Sequence, residues 1–251
     1  MVPPPAGTHP GSAMSGAEFW LLSAVVLLGA LAQASIGFGL GLLAAPVVAL
    51  VDPTLVPVTL ILLATGVTAT VLVLDRQHVD LRGTGIALGG RVVGTVAGAA
   101  LVAALPARAL AVAVGVVVLL GVVATAGGLT PRPTTRAVAL AGAVSGLMGT
   151  ATSIGGPPMA MVWQGMAGPR LRGTMSGFFL VGSLLSLAAL AVAGNVEITT
   201  LQHTLWLLPA ALAGVLLARR VSGALDSRRS RTAAMALASI GAVVLIGQQV
   251  L

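Results

Sequence analysis

Two clusters of small and polar residues can hold a small anion. In the first, Gln33 and Ser35 lead into Gly37, Gly39 and Gly41; in the second, Thr150, Thr152 and Ser153 lead into Gly155, Gly156 and Pro157. A helix that starts directly after such a cluster points free N–H groups, and a partial charge of about +0.5, at whatever lies before it. Glycine lets an anion approach that backbone closely, and Pro157 and Pro158 suit a first helical turn. Hydroxyls and amides bind anionic oxygens without a buried charge, although Ser35 and Ser153 can equally serve the interrupted backbone beside them. Arg91 would add a fixed positive charge. It lies well inside an apolar stretch, where an arginine costs about 2.5–3.5 kcal/mol on insertion scales, or else it snorkels to the nearer end. Gln164 fits local hydrogen bonding, and Gly94 and Gly98 fit tight helix crossing.

Other chemistries lack their residues. There is no cysteine, so thiolate metal sites and disulfides are excluded. Asp52, Asp75, Asp80, Glu197 and Asp226 fall at the ends of apolar stretches, and His78 and His203 have no partner at metal-ligand spacing. Hydrolysis within a membrane needs paired aspartates, a Ser–His pair or a zinc cluster, so neither enzyme nor cofactor is expected. The net charge of +7 comes from arginines placed mostly in short gaps, and aromatics make up only 3% of the chain, a poor match to nucleic-acid binding. Trp20, Trp163 and Trp206 fit interface anchoring or packing.

The elements that must position these clusters are apolar. Of 251 residues 57% are hydrophobic and 8% charged, against about 25% charged in a soluble domain. Lipid is therefore the expected solvent for most of the surface. Apolar stretches run at about 17–36, 37–51, 54–74, 83–104, 108–127, 136–152, 155–168, 173–194, 203–218 and 232–250. Crossing the hydrocarbon takes about 20 apolar residues. The 37–51 and 155–168 stretches are too short, open on glycines and follow their predecessors without a polar loop, which predicts broken or re-entrant helices. Residues 1–16, rich in Pro, Gly and Ser, are expected to be disordered and contain no Lys or Arg to form the positive start of a signal peptide.

The order repeats. Ala34-Ser35-Ile36-Gly37 is echoed by Thr152-Ser153-Ile154-Gly155, and three further apolar stretches follow each break. The expected organisation is a first membrane repeat over 17–127, a linker at 128–135 with Gly128, Pro131 and Pro133, and a second repeat over 136–251. Arginines cluster near 76–82, 132–136, 170–172 and 219–231, which the positive-inside rule places in the cytoplasm. The loop at 75–82 is then inside while its counterpart at 195–202 is outside, so the two repeats are inverted. Inverted repeats with broken helices at matching positions form a transporter architecture that binds substrate near the bilayer midplane. The sequence-level fold class is thus all-α integral membrane, with two inverted repeats of a glycine-broken helix pair plus three transmembrane helices. Its expected partners are a small anionic substrate and the lipid bilayer, and the sequence leaves homo-oligomerisation open.

At Ile36-Gly37-Phe38-Gly39-Leu40-Gly41-Leu42-Leu43 with Pro46, and at Ser145-Gly146-Leu147 leading to Gly155-Gly156-Pro157, the chain resembles the TauE/SafE family of sulfite exporters. The resemblance covers essentially everything after residue 16. It implies a multi-pass permease of the bacterial cytoplasmic membrane for sulfite or an organosulfonate, with export as the expected direction. Thr150-Ala151-Thr152-Ser153 departs from a more glycine-rich run common in the family. A channel-like anion pore, or a permease for another small carboxylate, are the alternatives.

Overall fold

The computed structural model describes residues 15–126, 132–166, 168–221 and 227–250. Among them every regular element is helical: α1 (Gly16–Ile36), α2 (Leu40–Val51), α3 (Val58–Asp75), α4 (Leu81–Ala104), α5 (Ala107–Ala126), α6 (Thr135–Thr152), α7 (Gly156–Trp163), α8 (Gly168–Val192), α9 (Ile198–Val221) and α10 (Ser227–Val250). Six of these, α1, α3, α4, α5, α8 and α9, are long and apolar enough to cross a membrane. Their outer faces stay apolar, with Val93 69%, Val123 68% and Leu216 63% exposed, as lipid-facing residues must be when water is absent.

Several boundaries differ from the sequence reading for local reasons. Helix α1 starts inside the segment expected to be disordered, because Ser15 caps it and Glu18 reaches back in a capping box; residues 1–14 lie outside the described ones. Arg170 and Arg172, expected in a loop, sit in the first turns of α8, and Arg219 and Arg220 end α9. Arg228, Arg229 and Arg231 likewise lie within α10. Arginine is a good helix former, so helices run on past their apolar cores into the Arg-bearing ends. The linker turn expected at Gly128 and Pro131 lies outside the described residues.

A long helix, a short one and three further helices follow one another twice, and the packing partners exchange between the two sets. Helix α4 packs on α6 as α9 packs on α1, α4 meets α8 as α9 meets α3, and α3 meets α8 as α5 meets α10. On the α3–α8 contact, Thr65 Oγ1 donates to Ser183 Oγ at 2.9 Å, a pair separated by 118 residues. That is also the spacing from Ser35 to Ser153, so two matching positions touch each other.

The α4–α6 crossing is the tightest. A Cβ added at Gly90 or Gly94 would meet the backbone carbonyls of Ala139 and Ala143, and one at Gly142 or Gly146 those of Ala87 and Arg91. Glycine at every fourth position lets the two backbones touch, which supplies van der Waals contact where no hydrophobic force acts between helices. Gly94 and Gly98 therefore serve packing. The largest core gathers Leu22, Leu40, Leu60, Leu63, Leu207 and Leu245 from α1, α2, α3, α9 and α10. A second one, with Met159, Trp163, Met175 and Phe178, holds α7 against α8.

Candidate functional site

Both breaks are three residues long. Helix α1 ends at Gly37, whose φ of 90° makes the left-handed cap and whose N–H donates to Gln33 O. The chain passes Gly39, at φ 144°, and re-enters helix at Leu40. Helix α6 ends likewise at Ser153, left-handed at φ 66°, and α7 starts after Gly155 with proline in its first turn. A left-handed seryl residue is unusual. Its Oγ donates to Pro57 O at 2.9 Å, which ties the second break to the start of α3.

The breaks meet. A Cβ at Gly41 would run into the carbonyl oxygen of Ser153, and one at Gly156 into Phe38, so each break packs into the other where only glycine fits. Between them lies a cavity of about 50 Å³. Of the eleven residues expected at the site, Gln33, Gly39, Gly41, Arg91, Ser153, Gly155, Gly156 and Pro157 line it. Phe38 and Gly156, Gly39 and Pro157, and Ile61 and Phe179 also line it, each pair 118 residues apart like Thr65 and Ser183.

Ser35, Gly37 and Thr152 do not line the cavity. Thr152 Oγ1 donates to Met148 O within its own helix, and Gly37 is occupied as the α1 cap, with Met175 against it. Ser35 Oγ is buried without a hydrogen-bond partner among the described residues. Successive residues on a helix point about 100° apart, so neighbours in sequence need not share a wall. Gln33 lines the cavity and also serves the backbone: its Oε1 accepts from Leu40 N at 3.2 Å, capping α2 from seven residues upstream. Gln164, outside the cavity, donates from Nε2 to Met161 O.

Arg91 does not snorkel. It is 3% exposed, and its side chain runs inward from α4 across the α6 contact. Nη1 donates to Ser145 Oγ at 3.1 Å, and Ser145 Oγ donates in turn to Gly155 O at 2.7 Å, so the guanidinium is linked to the second break through one hydroxyl. The guanidinium carbon stands 4.8 Å from the centre of the Phe178 ring and 5.6 Å from that of Phe179. Its Nε has no hydrogen-bond partner among the described residues, and no carboxylate lines the cavity among them. A buried cation held only by a hydroxyl and two ring faces is a strong attractor for an anion. On the far side, Gly182 leaves the space that the guanidinium fills, since a Cβ there would overlap Arg91 Nε, Cζ and Cδ.

Sequence reasoning missed Ser145, Phe178, Phe179, Gly182 and Ser183 as parts of this wall. One signal was available: the chain has only four phenylalanines, and two of them are adjacent. Ser145 to Arg91 spans 54 residues, a relation that no local pattern reveals. A second cavity of about 190 Å³ lies at the helix ends beside Asp75, Arg172 and Arg219. There Arg172 Nε pairs with Asp75 Oδ2 at 2.9 Å, joining the end of α3 to the start of α8. Although larger, it is built at the ends of spans, and it contains neither break.

No curated protein and no solved structure matches the chain. The family model described as "Sulfite exporter TauE/SafE" matches residues 21–245, a span that contains both breaks, Arg91, Ser145 and the α8 phenylalanines. The chain belongs to the TauE/SafE sulfite exporter family, and it is a multi-pass membrane protein of that transporter family.

Proposed function

We propose that the protein is a secondary transporter that exports a small sulfur-containing anion, such as sulfite or an organosulfonate, across the bacterial cytoplasmic membrane, binding it between the two helix breaks. The observation that carries this reading is Arg91, whose buried side chain lines the cavity with no acidic neighbour there among the described residues. Membrane-embedded arginines are rare and face a functional interior. The first-turn N–H groups of α2 and the small residues of both breaks give an anion's oxygens further donors and close approach.

Alternating access is supported by the exchange of packing partners between the two halves and by the Thr65–Ser183 contact, where matching positions meet as they would on a two-fold axis. The placement of arginines supports an inverted relation, with the axis in the membrane plane. On this reading the halves rock about the α3–α8 contact and expose the cavity to each side in turn.

Flux of radiolabelled sulfite from proteoliposomes tests the proposal, with Gly39→Leu and Gly155→Leu alongside the native chain. A leucine at Gly39 meets Ala32 and requires a left-handed backbone, and one at Gly155 meets Ser145. Saturable flux in the native protein with a loss of at least tenfold in both variants is expected. Undiminished flux in both removes the cavity as the binding site, and flux that does not saturate indicates a channel-like pore instead.

A further inference from the structure

We infer that the cavity between the breaks accommodates one negative charge, so that the protein selects monoanions over dianions of the same size and shape. The inference rests on the cavity being the anion site and adds a charge rule to it. Arg91 is the one ionisable side chain among the residues lining the cavity. Its hydrogen-bond partner Ser145 is neutral, as are the Phe178 and Phe179 rings beside it. The side-chain charge available to a ligand is therefore one positive unit, not offset by any lining carboxylate.

The second half supplies no matching cation. Its counterpart to α4 is α9, which has no arginine before Arg219 and carries Pro209 inside the helix, 118 residues after Arg91. Nor do the helix ends add a second charge. Each break joins the positive end of one helix to the negative end of another: α2 follows α1 and α7 follows α6, so their end charges of about half a unit largely cancel. The donors are also fewer than in an ordinary pair of helix starts. Gln33 Oε1 takes the Leu40 N–H, and Pro157 and Pro158 have no N–H to offer. The second charge of a dianion would be left in a low-dielectric interior without a counter-charge, a penalty of several kcal/mol after relaxation.

Size adds a limit. A water-sized group takes about 10–15 Å³ of such volume, so 50 Å³ holds about four. A compact tetrahedral or pyramidal headgroup fits, and a longer organic chain has to leave through the cavity mouth.

The test compares anions that differ in charge more than in shape. Native full-length protein in proteoliposomes is loaded with radiolabelled sulfite at a fixed, mildly acidic pH, where the hydrogensulfite monoanion predominates, and challenged with methanesulfonate, perchlorate or sulfate as unlabelled competitors. Perchlorate and sulfate are both tetrahedral oxyanions with one and two charges, and methanesulfonate keeps the sulfur with a single charge. Methanesulfonate and perchlorate are expected to inhibit sulfite flux, with sulfate at least about 100-fold weaker, as a penalty of several kcal/mol requires at 1.4 kcal/mol per factor of ten. Sulfite flux inhibited by sulfate within tenfold of perchlorate overturns the charge rule and leaves the anion site standing. No saturable sulfite flux, or sulfite flux that none of the three anions reduces, overturns both.

Discussion

Replacing Arg91 by methionine distinguishes a charge kept for an anion from one kept for the fold. In the folded protein the guanidinium bears a desolvation penalty of several kcal/mol. Against it stand one hydrogen bond from the charged group to Ser145, worth about 1.5–3 kcal/mol, and the Phe178 face at 4.8 Å, worth about 2 kcal/mol when desolvated. These terms cancel to within about 2 kcal/mol. Methionine occupies much of the same volume, keeps favourable sulfur–aromatic contact with the two rings, and leaves Ser145 still donating to Gly155 O. Arg91→Met is therefore expected to change stability by less than about 2 kcal/mol in either direction, read as an apparent melting temperature close to that of the native protein in the same detergent. Transport should behave very differently. An anion about 4 Å from the guanidinium gains about 4 kcal/mol at an effective dielectric of 20, so its loss should weaken binding by about 1,000-fold. Sulfite flux at a concentration that half-saturates the native protein would then fall to background. Native-like flux in the variant would refute the reasoning, because the buried charge would then have no role at the site. A variant that unfolds would refute the energetic half of it, showing that the guanidinium holds α4, α6 and α8 together.

Gly182→Ala should act on the same group from the opposite wall: its methyl would occupy the space of Arg91 Nε and Cζ, and we expect at least a tenfold rise in the sulfite concentration for half-maximal flux. Gln33→Leu leaves the buried Leu40 N–H without its acceptor, with an expected loss of about 1–3 kcal/mol visible in thermal unfolding. Gln33→Glu keeps the acceptor but adds a negative charge to the cavity wall, so it should remain folded and lose flux at neutral pH. At the helix ends, Arg172→Ala breaks the half-buried pair with Asp75 and should lower stability by about 1–2 kcal/mol. The exchanged double variant Asp75→Arg with Arg172→Asp should recover part of it in the same melting assay.

The breaks themselves were legible in the sequence because their chemistry is local. Gly37 caps α1 in a left-handed conformation that glycine adopts without strain, Gly39 reaches a φ of 144°, and Pro157 opens α7 where a missing N–H does no harm. Ser153 shows the limit of such reading: a serine in the left-handed region is not announced by its type, and it is held there in a tertiary setting that includes its bond to Pro57 O.

What the sequence alone determined follows from the solvent. A chain with 8% charged residues and long apolar runs has lipid as its surroundings, and the uninterrupted runs must then be helices, because every N–H and C=O has to find a partner within the segment. The tertiary structure decided which of the polar residues near the breaks share a cavity. Gln33, Ser153 and Arg91 do, whereas Ser35 and Thr152 do not, although all five look alike as embedded polar groups. It also decided what surrounds the charge: Ser145 from α6, with Phe178 and Gly182 from α8, reach Arg91 from 54 to 91 residues away. Such relations depend on how close two backbones come and how each helix is rotated about its axis. Those quantities are set by the packing of the whole bundle, to which no short stretch of sequence has access.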